Sequence, residues 1–437
     1  MSGVALPAVL GGDPVVTSAN DPVWPEVGGV ESAILGEVTD GGQWVGYANH
    51  PAKWRAVLEQ VVADTTGYRY GVGQPNGTLA IASGLRAQLF ARGASRASWA
   101  QGRDEVLVAD LTHASAHHGV VLGVAAQLGR SPRLVPIPAK LDATMDEEVA
   151  AEYLARHADR VLAVVPATMY GNFGAIDRFA ALGRQYDVVV HHDNALGGAA
   201  RFDGDGAPTA SISGQGGGKA APSCEGGLTV TSDPELAALL RADTDCGTGP
   251  GRLDPIPYAE VGPMMAGNQR MGEQPAALLL VQWLRALHAR LVMRENRRLI
   301  RSLIADASVF PEPVLWNPPP DAEYPPFFAL YLSCTDALES SLGLTPKDLR
   351  VALAAEGVWA EAGFTPTHLD PAWRHWAEGV DLSYDVSARV VERAVFVHTK
   401  FLRDPRFPDV LAEIFRRVVA HRDRLRGIGD GRPEPAW

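Results

Sequence analysis

The sequence predicts an α/β fold, a mostly parallel sheet sandwiched by helices, with a smaller C-terminal α+β domain. Three observations predict it. Between residues 104 and 193, short runs that are apolar throughout alternate with segments of helical spacing, the pattern of a parallel sheet covered on both faces. At 437 residues the chain is long enough for two domains. Towards the C-terminus the alternation gives way to strands and helices arranged around a different core. The expected division is a large domain with an N-terminal arm over 1–299 and a small domain over 300–437.

The first 50 or so residues, rich in Gly, Pro and Trp, read as an extended arm with turns. Trp54, Val57, Leu58 and Val61 predict a helix over Pro51–Thr65. The turn QPNG then leads into a helix starting near Gly77–Thr78, with Leu79, Ala82, Leu85 and Leu89 on one face. Open N–H groups at that helix start suit an anion, and a Thr hydroxyl adds a donor; Asn and Thr are equally at home there as plain caps. Strands are predicted at Asp104–Asp110, Arg133–Ile137, Val161–Pro166 and Asp187–Asp193. Helices separate them, in THASAHHGVVLGVAAQLG, Asp146–His157 and Ile176–Gln185. Ligands of such sheets bind beyond the carboxyl ends of the strands, where Thr112, His113, Thr168 and Asp193 fall. A strand at Leu228–Ser232, a helix capped by Asp233 and a Gly/Pro-rich loop over Cys246–Pro263 follow. A long helix then opens near Pro275. FFALYLSC reads as a strand, KDLRVALAAEG as a helix ending at Gly357, and the tail GIGDGRPEPAW as loose.

Composition narrows the function. The balance of 39 basic and 51 acidic residues gives a net charge of −12, and no basic run stands out, which argues against nucleic acid as a partner. No uninterrupted apolar run reads as a bilayer span, and the N-terminus does not read as a secretory signal. Three scattered cysteines, Cys224, Cys246 and Cys334, give neither zinc spacing nor a disulfide framework, and a cytoplasmic setting is expected. Cys224 reads as a small buried hydrophobe.

The stretch that carries chemistry is SISGQGGGKAAPSCEGG, Ser211 to Gly227. Its one lysine, Lys219, is short of counter-ions and flanked by glycine, which suits an amine that is deprotonated and attacks a carbonyl. Taken alone, the stretch also reads as a Gly-rich surface loop with a solvated lysine. A phosphate-binding P-loop fails on spelling, because Ala220 follows the lysine and Ser213 stands where the first Gly belongs. The rest of the chain selects a Schiff-base lysine for pyridoxal 5′-phosphate. A phosphate turn at Gly77–Thr78, a strand-end carboxylate at Asp193 and then Lys219 is the order such a site needs.

At these residues the chain resembles the DegT/StrS-type sugar and cyclitol aminotransferases of fold type I. The resemblance runs through GDPV, PNGTLAI, RDEVLVADLTHASA, VVPATMYGNFGAID, VVVHHDNALGGA, KAAPSCEGG, NQRMGEQPAA, GFTPTHLDP and FVHTKFL, and so covers most of the chain. It implies Lys219 as the Schiff-base lysine and general acid/base, and Asp193 as the partner of the pyridinium. Gly77, Thr78 and Ser213, or Ser211 in its place, would hold the phosphate. Thr168 joins the cofactor site, and His113 would stack on the ring where the family has an aromatic. Asn268 would reach the phosphate of the neighbouring subunit in a homodimer with shared sites. Arg270 would anchor an acidic substrate group or serve the interface. The reaction implied moves an amino group from glutamine or glutamate to a keto sugar or keto cyclitol, in a specialised pathway such as antibiotic biosynthesis.

Two departures bear on the reaction. Leu196 stands where the family has His or Gln near the ring hydroxyl, and the Gly-rich 214–218 segment is one residue longer than usual. They keep open a non-transaminating alternative on the same scaffold: a dehydratase, epimerase, decarboxylase or carbon–carbon bond-forming enzyme. A metal reading of His191, His192 and Asp193 ranks below the pyridinium reading, because adjacent strand residues point to opposite faces.

Overall fold

The computed structural model describes residues 3–46, 52–93, 100–202, 206–214, 218–247, 267–305, 315–317, 329–333 and 342–435. The large sheet is built from β1 (Tyr70–Gln74), β2 (Glu105–Ala109), β3 (Arg133–Ile137), β4 (Val161–Val165), β5 (Val189–Asp193), β6 (Thr209–Ser213) and β7 (Gly227–Thr231). Their order across the sheet is β1-β7-β6-β5-β4-β2-β3. Only β7 runs against the rest, pairing antiparallel with both β1 and β6. β2, β4, β5, β6 and β7 are buried at every position, which fits the unbroken apolar run of β4 and the apolar run over 106–109 in β2.

The intervening helices are α1 (Gly29–Gly41), α2 (Trp54–Thr66), α3 (Gly77–Ala91), α4 (Ala114–Leu128), α5 (Glu147–His157), α6 (Ile176–Tyr186) and α7 (Pro234–Thr244). Local chemistry sets their starts. The Asp146 carboxylate accepts from the N–H groups of Glu148 and Val149 at 3.0 and 3.1 Å, and Asp233 caps α7 in the same way, with Pro234 in its first turn. α8 (Glu273–Ala305) is the long helix. By length and composition its Glu273–Leu303 stretch would cross a bilayer, but half of the apolar window is buried inside the fold, the position of a core helix.

The second sheet has the order β10-β11-β9-β8, with β8 (Leu315–Asn317), β9 (Ala329–Ser333), β10 (Ala360–Glu361) and β11 (Ala394–His398). Around it lie α9 (Pro346–Ala355), α10 (Asp385–Arg393), α11 (Thr399–Leu402), α12 (Phe407–Ala420) and α13 (Arg422–Leu425). The N-terminal residues reach this region: Ala8 and Val15 donate backbone N–H groups to the Glu356 carboxylate at 2.9 Å each.

Four expectations need correction. The N-terminal arm is not all extended: α1 forms because Ile34 and Val38, one turn apart, bury against α8, while Glu31 pairs with Arg285. β1 and β6 were not expected, because their small and polar residues carry no apolar run; β1 pairs with β7, and β6 lies between β7 and β5. The tail is tied down, with Glu434 bonded to buried Arg350 at 2.8 and 2.9 Å and the Arg432 carbonyl accepting from Lys347. Cys224 is exposed. Most of the Cys246–Pro263 loop, the centre of the Gly-rich 214–218 segment, and Phe327, Phe328 and Cys334 fall outside the described residues.

Candidate active site

The carboxyl ends of β2, β4, β5 and β6 open onto a cavity of about 710 Å³. Gly77, Thr78, Thr112, His113, Thr168, Asp193, Leu196, Ser213 and Lys219 all line it. Strand ends, the turns that follow them and one helix start deliver most of these residues, and the connection between β6 and β7 delivers Lys219.

α3 supplies the anion cradle. Asn76 caps it, accepting from the Leu79 N–H at 3.0 Å, and the amides of Gly77 and Thr78 begin the helix at the cavity wall without intrahelical acceptors. A Cβ on Gly77 would lie 2.9 Å from the Cβ of Ser213, so only glycine lets the two segments approach this closely. Of the two candidate serines, Ser213 lines the cavity, whereas Ser211 is buried behind it, its hydroxyl 3.5 Å from the Asp193 carboxylate.

Asp193 is the last residue of β5. Its backbone is fixed between neighbouring segments, with its N–H on the Pro166 carbonyl and its own carbonyl accepting from Thr168. Its carboxylate accepts from the Ala195 N–H at 3.1 Å. Burial pushes this carboxyl above its usual range, against the pull of the Ala195 amide and of Lys219. Lys219 carries the reciprocal shift. Burial lowers its amine to about 8, and the attraction of Asp193 offsets only part of that. A cavity holding a poised amine and a carboxylate short of positive charge fits a carbonyl compound that has a basic ring nitrogen.

His113 ends the loop after β2 and caps α4, its Nδ1 accepting from the Ser115 N–H at 3.1 Å. Its pKa is depressed, first by burial and then by Lys219. The Thr168 hydroxyl is 2.7 Å from His192 Nε2. His191 turns the other way, to the Thr209 hydroxyl at 2.7 Å, so the two histidines lie on opposite faces of β5 and do not converge with Asp193. Burial holds both near pKa 3, neutral in the core. Asn268 is exposed and Arg270 pairs with Asp245; neither lines this cavity.

The second wall was not foreseen. Trp359, Glu361, Gly363, Phe364, Phe396 and His398 come from β10, β11 and their flanks, with Tyr170 beside them. Asp110, just beyond β2, holds this wall in place. It accepts on its carbonyl from Thr367 at 2.7 Å and on its carboxylate from the His368 N–H at 3.0 Å. Tyr170 sits in the left-handed region at φ 52°, and a side chain on Gly363 would strike its hydroxyl. The segments GFTPTHLDP and FVHTKFL flag this region in the sequence, but nothing in them says which side chains face inward.

The model of the DegT/DnrJ/EryC1/StrS aminotransferase family matches residues 31–410. The chain belongs to that family. With the family comes its cofactor, pyridoxal 5′-phosphate. GDP-perosamine synthase of Caulobacter vibrioides is 26% identical over 334 residues, 73% of this chain and 78% of that protein. L-glutamine:2-deoxy-scyllo-inosose aminotransferase of Streptoalloteichus tenebrarius is 25% identical over 231 residues, 48% of this chain and 52% of its own. Among solved structures, 3-amino-5-hydroxybenzoic acid synthase superposes with a TM-score of 0.71 at 22% identity, over 93% of this chain and 100% of that one. E. coli GDP-4-keto-6-deoxy-D-mannose-3-dehydratase with bound hydrated pyridoxal phosphate gives 0.68 at 17%, over 95% and 98%. These likenesses establish fold type I, as the sequence predicts.

Proposed function

We propose that this aminotransferase moves an amino group from glutamine or glutamate to a ketone on a sugar or cyclitol ring. The donor leaves as its keto acid and the acceptor as its amine, so one is oxidised as the other is reduced. The observation that carries this reading is the meeting of Lys219 and Asp193 in one cavity with an anion cradle at Gly77, Thr78 and Ser213. The relatives add support: one is named for a perosamine product, the other for a glutamine donor and an inosose acceptor.

When bound, the cofactor supplies an electron sink for the carbon that loses its proton. The chain's own residues do the rest. The Lys219 amine, depressed to about 8, would hold the aldehyde end and, once released from it, would carry the proton between the donor carbon and the former aldehyde carbon. The buried Asp193 carboxylate would keep a proton on the ring nitrogen, and the resulting positive charge would in turn stabilise the ionised carboxylate. The first amides of α3 and the Ser213 hydroxyl would hold the phosphate, and His113 and Thr168, which line the same cavity, would hold the ring. Asn268, exposed and outside its own cavity, would reach the partner's phosphate in a homodimer, with Arg270 serving the interface. The setting is a cytoplasmic, specialised biosynthetic pathway of the antibiotic type.

Leu196 favours a second reading. It puts an apolar side chain, 4% exposed, in the cavity wall where the family resemblance expects a hydrogen-bonding residue. Without that partner the same scaffold could run a dehydration or another non-transaminating reaction. One experiment separates the two. Protein loaded with pyridoxal phosphate is mixed with glutamine or glutamate, and absorbance and keto acid are followed together. Stoichiometric keto acid supports transamination, and its absence with every amino donor supports the alternative. Lys219→Ala is expected to lose both the cofactor band and turnover, the latter by at least about a thousandfold.

A further inference from the structure

Lys219 lies in the irregular connection between β6 and β7, where no strand ladder fixes the backbone. Ala220 and Ala221 beside it are buried, but methyl groups pack without direction. A directional tie comes from far along the chain. Arg403 donates from Nη2 to the Ala220 carbonyl, one residue past the lysine and 183 residues away in sequence. The arginine follows α11, beside the second sheet, and is itself held on several sides. Asn296 on α8 donates its side-chain amide to the carbonyls flanking it, Leu402 at 2.9 Å and Asp404 at 2.7 Å. Its own N–H reaches the Thr399 carbonyl at 3.2 Å. The guanidinium lies over the Trp24 ring at 4.8 Å, and Trp24 meets His398 of the cavity wall edge-on at 5.2 Å. Burial lowers the guanidinium to about 10, which leaves it charged at neutral pH. A charged, planar donor grips a carbonyl more firmly than a neutral one does.

The tie matters most when the lysine is free. A lysine joined to the cofactor is anchored at both ends of its side chain. Released, it is held by its backbone alone, on a flexible four-carbon stem. Two steps need it released. In loading, the amine joins the aldehyde carbon and one water leaves; in the donor half-reaction, it carries a proton from carbon to carbon. A reacting group displaced by about 1 Å can lose about a hundredfold in rate. We propose that Arg403 is a positioning residue: through the Ala220 carbonyl it aims the released Lys219 amine at the carbons it must reach. The inference rests on the aminotransferase reading, from which it takes the role of Lys219, and adds to that reading a residue outside the cavity.

The test compares wild type with three variants. Arg403→Met keeps the bulk and loses the donor, and Arg403→Lys keeps a charged donor. Arg406→Met removes an exposed arginine that pairs with Asp404 nearby. Loading of each apoprotein with pyridoxal phosphate is timed at about pH 9, where the Lys219 amine is neutral. Cofactor Kd, urea midpoint and the donor half-reaction with glutamate and its 2-deuterated form are measured beside it. Arg403→Met is expected to slow loading and the half-reaction by about tenfold or more and to enlarge the deuterium effect, with Arg403→Lys between. Cofactor Kd should change by less than about threefold, because the joined lysine is anchored at its far end, and Arg406→Met should behave as wild type. Wild-type loading in both Arg403 variants, an equal slowing in Arg406→Met, or slowing matched by lost cofactor affinity and a lower urea midpoint would each overturn the inference. Should Arg403→Met fail to fold, Arg403→Lys decides by the same measurements. A wild type that loads but yields no keto acid from any amino donor would count against the aminotransferase reading, and the loading rates would still decide the role of Arg403.

Discussion

At the scale of the residue, the site depends on what burial does to two charges. The Lys219 amine ordinarily titrates near 10.5 and is lowered to about 8. Only the neutral amine attacks an aldehyde, so loading of the apoprotein with pyridoxal phosphate should quicken as pH rises through about 8 and level off above it. A loading midpoint near the ordinary lysine value would contradict this, and stopped-flow absorbance measures it. Gly77 offers a steric test. In Gly77→Ala the new methyl carbon would meet Ser213 at 2.9 Å, closer than folded structures tolerate. The cradle must open, and the Kd for the cofactor is expected to rise about tenfold or more while the fold persists; titration of apoprotein with cofactor reads the change directly.

At the scale of the element, the cap of α3 joins stability to binding. Asn76 satisfies the Leu79 amide and so fixes the helix start that holds the phosphate. Asn76→Ala should cost about 1 kcal/mol of stability and weaken cofactor binding several-fold, whereas a cap serving the helix alone would show the first effect without the second. The same scale shows what the sequence could and could not convey. β2 to β5 were legible because each carries or adjoins an apolar run of three or more residues (106–109, 134–137, 161–165 and 188–190), and their carboxyl ends pointed to Thr112, His113, Thr168 and Asp193. β1 and β6 were not, since YGVGQ and TASIS carry no apolar run, and their burial comes from neighbours elsewhere in the chain: β7 beside β1, and β5 and β7 on either side of β6. The wall from β10 and β11 stayed hidden for a related reason. Its facing depends on a cross-strand register and on the grip of Asp110 on Thr367 and His368, more than 250 residues away.

At the scale of the whole molecule, the two sheets meet at one cavity, and three buried histidines make the assembly sensitive to acid. Burial lowers His191 and His192 to about 3 and His117 to about 4. These values lie below those of the unfolded chain, so between roughly pH 6.5 and 4 the unfolded state takes up protons that the native state refuses. Stability should fall as pH drops through that window, by about 1.4 kcal/mol per pH unit for each histidine. Urea midpoints between pH 7.5 and 5 measure it, and a flat profile would contradict the burial of neutral imidazoles. The central claim concerns a single bond, and the sequence has five lysines among which it could form: Lys53, Lys140, Lys219, Lys347 and Lys400. The most direct measurement is reduction of the pyridoxal-phosphate-loaded protein with borohydride, which makes the Schiff base permanent, followed by peptide mass mapping. The account predicts one pyridoxyl group per chain, on Lys219; a protein left unlabelled, or labelled at another of the five, would contradict it.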